Sequence, residues 1–209
     1  MKKPLSTQST ATRERILDTA RTLLRRHGGQ KLTVVDIART LDMSHANVYR
    51  FFRSKAEILD AIVDEWMAKL AAFVESIERR PQPAAARLEA LVVELHRLRH
   101  QKCVEDPEIY ETYRRVMELR PDSVTQRQKM LLTALQRLIA EGIATGEFAP
   151  VDCRAAAMLL EDATALFLHP FMTPTAVGRR AEARARNVIR HLLAGFANAQ
   201  SGKTKRRAR

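Results

Sequence analysis

Apolar positions recur at helical spacing along nearly the whole chain, and no stretch alternates as a half-buried strand would. Over Thr12–His27, Ile16, Leu17, Ala20, Leu23 and Leu24 fall on one side, and Gly28-Gly29 marks the end of the helix. Thr33–Leu41 and Ser44–Phe51 read as two short helices. Ser54 then caps a long one running to about Glu78, with Ile58, Leu59, Ile62, Val63, Trp66, Leu70, Phe73 and Ile77 at apolar positions. Pro81 and Pro83 break the chain. Ala84–Val104, Pro107–Leu119, Asp122–Thr145, Asp152–Leu168 and Val177–Ala199 complete a set of about nine helices, some opening near a proline. The pattern predicts an all-α protein.

Thr33–Lys55 carries the chemistry. Thr33 is a good N-cap, because its hydroxyl accepts from a backbone N–H in the first turn. Val34, Ile37, Ala38 and Leu41 supply one apolar face, with Ala38 small where a second helix must cross closely. Asp42 tolerates the left-handed conformation of a sharp turn, and Met43 plugs that turn into the core. Ser44 caps the second helix. Val48 and Phe52, four apart, face inward, which leaves His45, Ala46, Asn47 and Arg50 facing outward. A helix with short polar groups near its start enters a DNA major groove and reaches base edges. The pattern is a helix-turn-helix reader.

Thr33, Ile37-Ala38, Met43-Ser44, Val48-Tyr49, Phe52 and Ser54-Lys55 resemble the N-terminal signature of the TetR (tetracycline repressor) family, and Thr12–His27 fits its first helix. Asp42 stands where that family usually has Gly, and Ala46 where Gly or Pro is common. Gly146–Asp152 and the apolar helix after it are similar to the family's body. The resemblance implies a three-helix DNA-binding head and a larger helical domain for ligand binding and dimerisation. It divides the chain into an arm (1–11), a head (12–55), a connecting helix (54–78), a body (56–200) and a basic tail (201–209). It also implies that Asp152–Leu168 and Val177–Ala199 of two subunits pair in a four-helix interface, with Ala156, Leu160, Ala163, Leu192, Leu193 and Phe196 on it. Burial of those faces in the subunit's own core is the alternative.

Charge supports the division independently. The chain of 209 residues has a net charge of +12. Residues 1–60 hold 12 Lys/Arg against 6 Asp/Glu, residues 203–209 add 5 cations, and the stretch between is nearly neutral. A basic head on a neutral body points to a dedicated DNA module and not to general polyanion binding. No apolar run is long enough to span a bilayer, and MKKPLSTQSTATRERIL lacks the apolar core of a secretory signal. Two cysteines do not make a disulfide framework, and a bacterial cytoplasm is the expected setting.

Within the head, His45, Ala46, Asn47 and Arg50 are the candidates for base reading, Asn suiting adenine and Arg guanine. Thr33, Ser44, Tyr49 and Lys55 are candidates for capping and phosphate contact. In the body, Met117, Leu159, Asp162 and Phe167 are assigned to a ligand pocket, and Glu161, Asp162 and His169 sit beside the most apolar helix. His96, His100 and Cys103 share one helical face, a minor alternative as a soft-metal site. The surrounding cations favour no metal. Cys103 and Cys153 read as inert buried thiols. No phosphate loop, nucleophile elbow or zinc-protease motif is present, so no enzyme and no cofactor is expected. The expected partners are double-stranded DNA with a palindromic operator, a second copy of the chain, and a small, apolar effector. The expected function is a homodimeric repressor that the effector releases. The alternative is a non-specific architectural DNA-binding protein.

Overall fold

The computed structural model describes residues 7–175 and 179–198, with the side chains of 7, 121–127, 179 and 198 outside the description. Among them every regular element is helical: α1 (Thr7–Lys31), α2 (Val34–Thr40), α3 (His45–Tyr49), α4 (Lys55–Glu78), α5 (Ala84–Glu105), α6 (Pro107–Leu119), α7 (Pro121–Ala144), α8 (Cys153–Ala163), α9 (Ala165–Leu168) and α10 (Arg179–Asn198), with a 3₁₀ turn at Thr173–Thr175. The chain forms two compact units. The first takes Met1–Ala68 and Lys102–Arg120, and the second takes Lys69–Gln101 and Pro121–Arg209. Of the basic arm, residues 1–6 lie outside the described residues, as does the whole 201–209 tail.

In the first unit, α1 starts at Thr7, earlier than the apolar pattern indicates, and is interrupted at Gly28. Gly28 has φ 75°, where a side chain is strained. Ile16, Leu17, Ala20, Leu23 and Leu24 are all buried, together with Val34, Ile37, Ala38, Val48, Phe52, Ile58 and Ile62. Leu41 and Met43 pack against that cluster partly buried. Asp42 is the one non-glycine described residue with positive φ, at 53°. It therefore occupies the turn in the left-handed region that Asp visits more readily than most residues. Asp42→Gly is expected to leave stability within about 0.5 kcal/mol, and Asp42→Val to cost about 1–2 kcal/mol, since a β-branched side chain clashes there. Urea unfolding midpoints check both.

The helix α6, which the sequence assigns to the body, packs in the first unit against α1. Asp106, just before it, accepts from Arg25 Nε at 2.6 Å and Nη2 at 3.2 Å, and from Lys102. The Arg25 hydrogen bonds, against the opposing effect of burial, hold the Asp106 carboxyl down to about 2. A carboxyl lowered by folding adds stability above its unfolded value near 3.8, and that stability is lost as pH falls toward 2. With Arg25 half-exposed, solvent reduces the contribution to roughly 1–2 kcal/mol. The stability gap between the native protein and Asp106→Asn, read from urea unfolding, is therefore expected to be constant above about pH 5 and to shrink below pH 4.

In the second unit, Pro81 and Pro83 separate α4 from α5, as the sequence indicates. The first amides of α5 are capped from far along the chain: Glu147 accepts from Ala84 N at 2.9 Å and Ala85 N at 3.0 Å. Gly142 makes room for the Phe148 ring, which a Cβ there would overlap. Phe148 meets Phe196 of α10 edge-on at 6.2 Å.

The continuous helix expected over Asp152–Leu168 is instead two. Asp152 caps α8, accepting from Arg154 N and Ala155 N. The break falls at Thr164 (φ −105°, ψ 7°), whose hydroxyl donates to the Leu160 carbonyl at 2.6 Å and competes with the backbone ladder. The carbonyls freed by the early end of α9 are taken up from α5. His96 Nδ1 donates to Phe167 O at 3.1 Å, and Arg99 Nη1 donates to Leu168 O. Burial pushes the His96 imidazole below its ordinary value, although the Phe167 carbonyl favours the charged form. Of the last expected helix, residues 177–178 and 199 lie outside the described residues.

Candidate DNA-binding surface

The reader is built from three local caps. Thr33 Oγ1 accepts from Asp36 N at 3.1 Å and donates to Asp36 Oδ2 at 2.6 Å. Ser44 Oγ accepts from Asn47 N at 3.2 Å and opens α3. Ser54 Oγ accepts from Glu57 N at 3.2 Å, while the Glu57 carboxylate returns to Arg53 N at 2.5 Å. The last pair is close to a capping box, and its signal in the sequence is Ser54-x-x-Glu57, which the motif reading passed over. Each cap satisfies an amide at the start of a helix and fixes where that helix begins.

The recognition helix α3 is only five residues long, shorter than the expected Ser44–Phe51. Its turn continues through Phe51 N and Phe52 N, which both donate to Val48 O. Val48 and Phe52 are buried and hold α3 on the core, each burial contributing on the order of 1.5–3 kcal/mol. His45, Ala46 and Arg50 are exposed, and Asn47 is half-buried. The Tyr49 ring is 47% exposed and meets His45 edge-on at 6.4 Å. Lys55 opens α4, and its Nζ donates to the Gln30 carbonyl at 3.1 Å. The four base-reading candidates and the four capping or phosphate candidates thus all lie on α3, at the start of α4, or in the turns that lead into and out of α2 and α3. They present cations and amide or imidazole donors on a helix outside the core.

The remaining candidates are dispersed. Met117 is buried in the first unit, whereas Leu159, Asp162 and Phe167 belong to the second. Leu159 is 48% exposed and Asp162 is exposed, so they do not face the interior with Phe167. Asp162 does meet Glu161 and His169 around a small cavity of about 130 Å³. Ala156, Leu160, Leu193 and Phe196 are buried within their own chain, Leu160 completely, at 0% exposure. Ala163 is exposed and Leu192 half-buried. The face of α8 that remains open carries Met158, at 47% exposure, and Leu159. The rings of His96 and His100 lie 5.9 Å apart, but His96 is already bonded to Phe167 O. Among the described residues no three His, Cys, Asp or Glu side chains converge as a metal site would require. Cys103 and Cys153 are half-buried free thiols.

Residues 16–62, the span holding α2, α3 and their caps, match the family of bacterial regulatory proteins, tetR family. Residues 84–189, more than half of the chain, match the tetracyclin repressor-like C-terminal domain. The chain belongs to the TetR family. It is accordingly a DNA-binding transcriptional regulator with a helix-turn-helix head, of a family of regulators and not of enzymes. Solved structures agree. A transcriptional regulator of the TetR/AcrR family from Thermobifida fusca YX-ER1 is 25% identical, with a TM-score of 0.67 over 89% of this chain and 98% of that one. FadR from Bacillus subtilis, solved with stearoyl-CoA, is 20% identical, with a TM-score of 0.62 over 87% of this chain and 98% of that one. SmeT in its triclosan complex is also 20% identical, with a TM-score of 0.65 over 88% and 91%. No curated protein matches the sequence. No helix among the described residues is long and apolar enough to cross a membrane.

Proposed function

We propose that this TetR-family protein is a homodimeric repressor that grips a palindromic operator and is released by a small, apolar effector. The observation that carries the reading is α3. Its His45, Ala46 and Arg50 point away from a core that Val48 and Phe52 hold, on a helix whose start Ser44 fixes. In this reading His45, Ala46, Asn47 and Arg50 read base edges. Lys55 and Tyr49 grip backbone phosphate, and the hydroxyls of Thr33 and Ser44 add to that grip beside their capping role.

One five-residue helix reads too few base pairs to single out a site, and two related by a two-fold axis read a palindrome. The partner face is the open side of α8 and α10, with Met158, Leu159, Ala163 and Leu192. It takes the place of the buried Ala156, Leu160, Leu193 and Phe196. The effector binds in the second unit. Stearoyl-CoA on FadR and triclosan on SmeT, both with large apolar parts, support an apolar ligand here. Release follows when the effector favours a conformation whose two heads no longer match adjacent major grooves. The helix α4, continuous from Lys55 to Glu78, is the lever.

A panel of apolar compounds tests the release step. Compounds that raise the melting temperature are expected also to weaken operator binding, because a ligand shifts the DNA equilibrium by its differential affinity. If every stabilising compound leaves DNA affinity unchanged, effector release is wrong.

A further inference from the structure

We propose that the first unit carries a second small-molecule site, in a cleft beside α6, for an anionic amphiphile: one anionic headgroup on a short apolar chain. This site is independent of the apolar effector assigned to the second unit. The cleft has a volume of about 730 Å³, within the range of small-molecule sites. Its walls are α6, the end of α1 and the start of α4.

The cleft is preformed, because α6 is fixed at both ends. At its start Asp106 is held by Arg25 and Lys102. Just past its end Arg120 reaches Asp60 at 3.5 Å and Asp64 at 3.3 Å on α4. Between them α6 lies so close to the end of α1 that a Cβ on Gly29 would stand 3.0 Å from Thr112 Oγ1. A pocket between pinned helices loses little to ordering when a ligand enters.

The lining selects the ligand class. Leu59, Val116 and Leu119 make an apolar floor, and Leu119 is 75% exposed, the most exposed of the large apolar side chains described. Lys31, Lys55 and Arg115 line the same cleft. Among the described residues none of the three forms an ion pair, and Lys55 gives one of its three donors to the Gln30 carbonyl. Of the two carboxylates, Glu111 is committed to Arg114 at 2.9 Å, and Glu108 lies against Gly28. Three cations against one uncommitted carboxylate favour an anion, and the start of α4 adds its helix dipole beneath Lys55. The floor requires an apolar chain on that anion.

Lys55 is also the residue assigned to DNA phosphate, so ligand and DNA draw on the same ammonium. Each is therefore expected to weaken the other to the same degree. The test is calorimetric titration of the full chain with sodium decanoate, decanol and acetate. Arg115→Glu and Leu119→Glu are run alongside; both side chains are exposed, and an unchanged melting temperature certifies the fold. Decanoate is expected to bind. Each variant should weaken it tenfold or more, and decanol and acetate should bind at least tenfold more weakly. Decanoate should also reduce affinity for a random-sequence duplex in the native protein and not in the variants. Absence of decanoate binding, equal binding by both variants, or decanol binding as well as decanoate would each overturn the site. Calorimetry reads the ligand directly, so these outcomes do not depend on the effector reading for the second unit.

Discussion

A protein carrying Met158→Arg and Leu159→Arg is expected to sediment as a monomer, with operator affinity reduced by about a thousandfold or more. Both side chains are about half exposed on α8 in the isolated chain, so the substitutions leave its own core untouched and its melting temperature nearly unchanged. In the proposed dimer the two together would bring two cations per subunit into a buried apolar interface without partners, which such interfaces do not tolerate. The monomer retains one reading helix. Losing one half-site removes several base contacts, each worth about 1–3 kcal/mol, and the sum corresponds to three or more powers of ten. Sedimentation velocity and operator titration read the two effects separately. A variant that stays dimeric places the interface elsewhere. A monomer with native operator affinity removes the need for a dimer.

Asn47→Ala and Arg50→Ala are each expected to lower affinity for the native operator by about 1–3 kcal/mol, roughly 5- to 150-fold, and to relax preference at the base each one reads. The core does not depend on either: Arg50 is exposed, and it is the backbone N–H of Asn47 that bonds Ser44. Lys55→Ala should behave differently. It should weaken every duplex alike and reduce the salt dependence by about one unit, because phosphate contact carries no sequence information. Titrating each variant against operator and scrambled duplex at two salt concentrations separates the patterns. Uniform loss for Arg50→Ala would assign its guanidinium to phosphate.

The head was legible in the sequence because its determinants are local. Thr33 and Ser44 cap amides three residues away, and the conformation of Asp42 answers to its own turn. The second unit rests on contacts that no window of sequence contains. Glu147 caps α5 from 63 residues away, and Arg186 of α10 reaches Glu89 across 97. The break at Thr164 was missed because Thr in an apolar run does not by itself stop a helix. It does so here with α5 supplying His96 and Arg99 to the carbonyls beyond. Leu159 and Leu160 both occupy apolar positions of the same predicted helix. Periodicity could not say that packing would cover Leu160 entirely and leave Leu159 half open, because that depends on which helices arrive beside them. For the same reason nothing in Pro107–Leu119 marks α6 as a member of the first unit.

The most direct measurement is selection of bound sequences from a random duplex pool with the purified full chain, at low and at raised salt. Recovery of a palindrome, with half-sites about one helical turn apart or a little more and still bound at the higher salt, is the predicted result. Recovery of no motif, with binding that collapses as salt rises, would mean that phosphate electrostatics alone hold the DNA and would contradict sequence reading by α3.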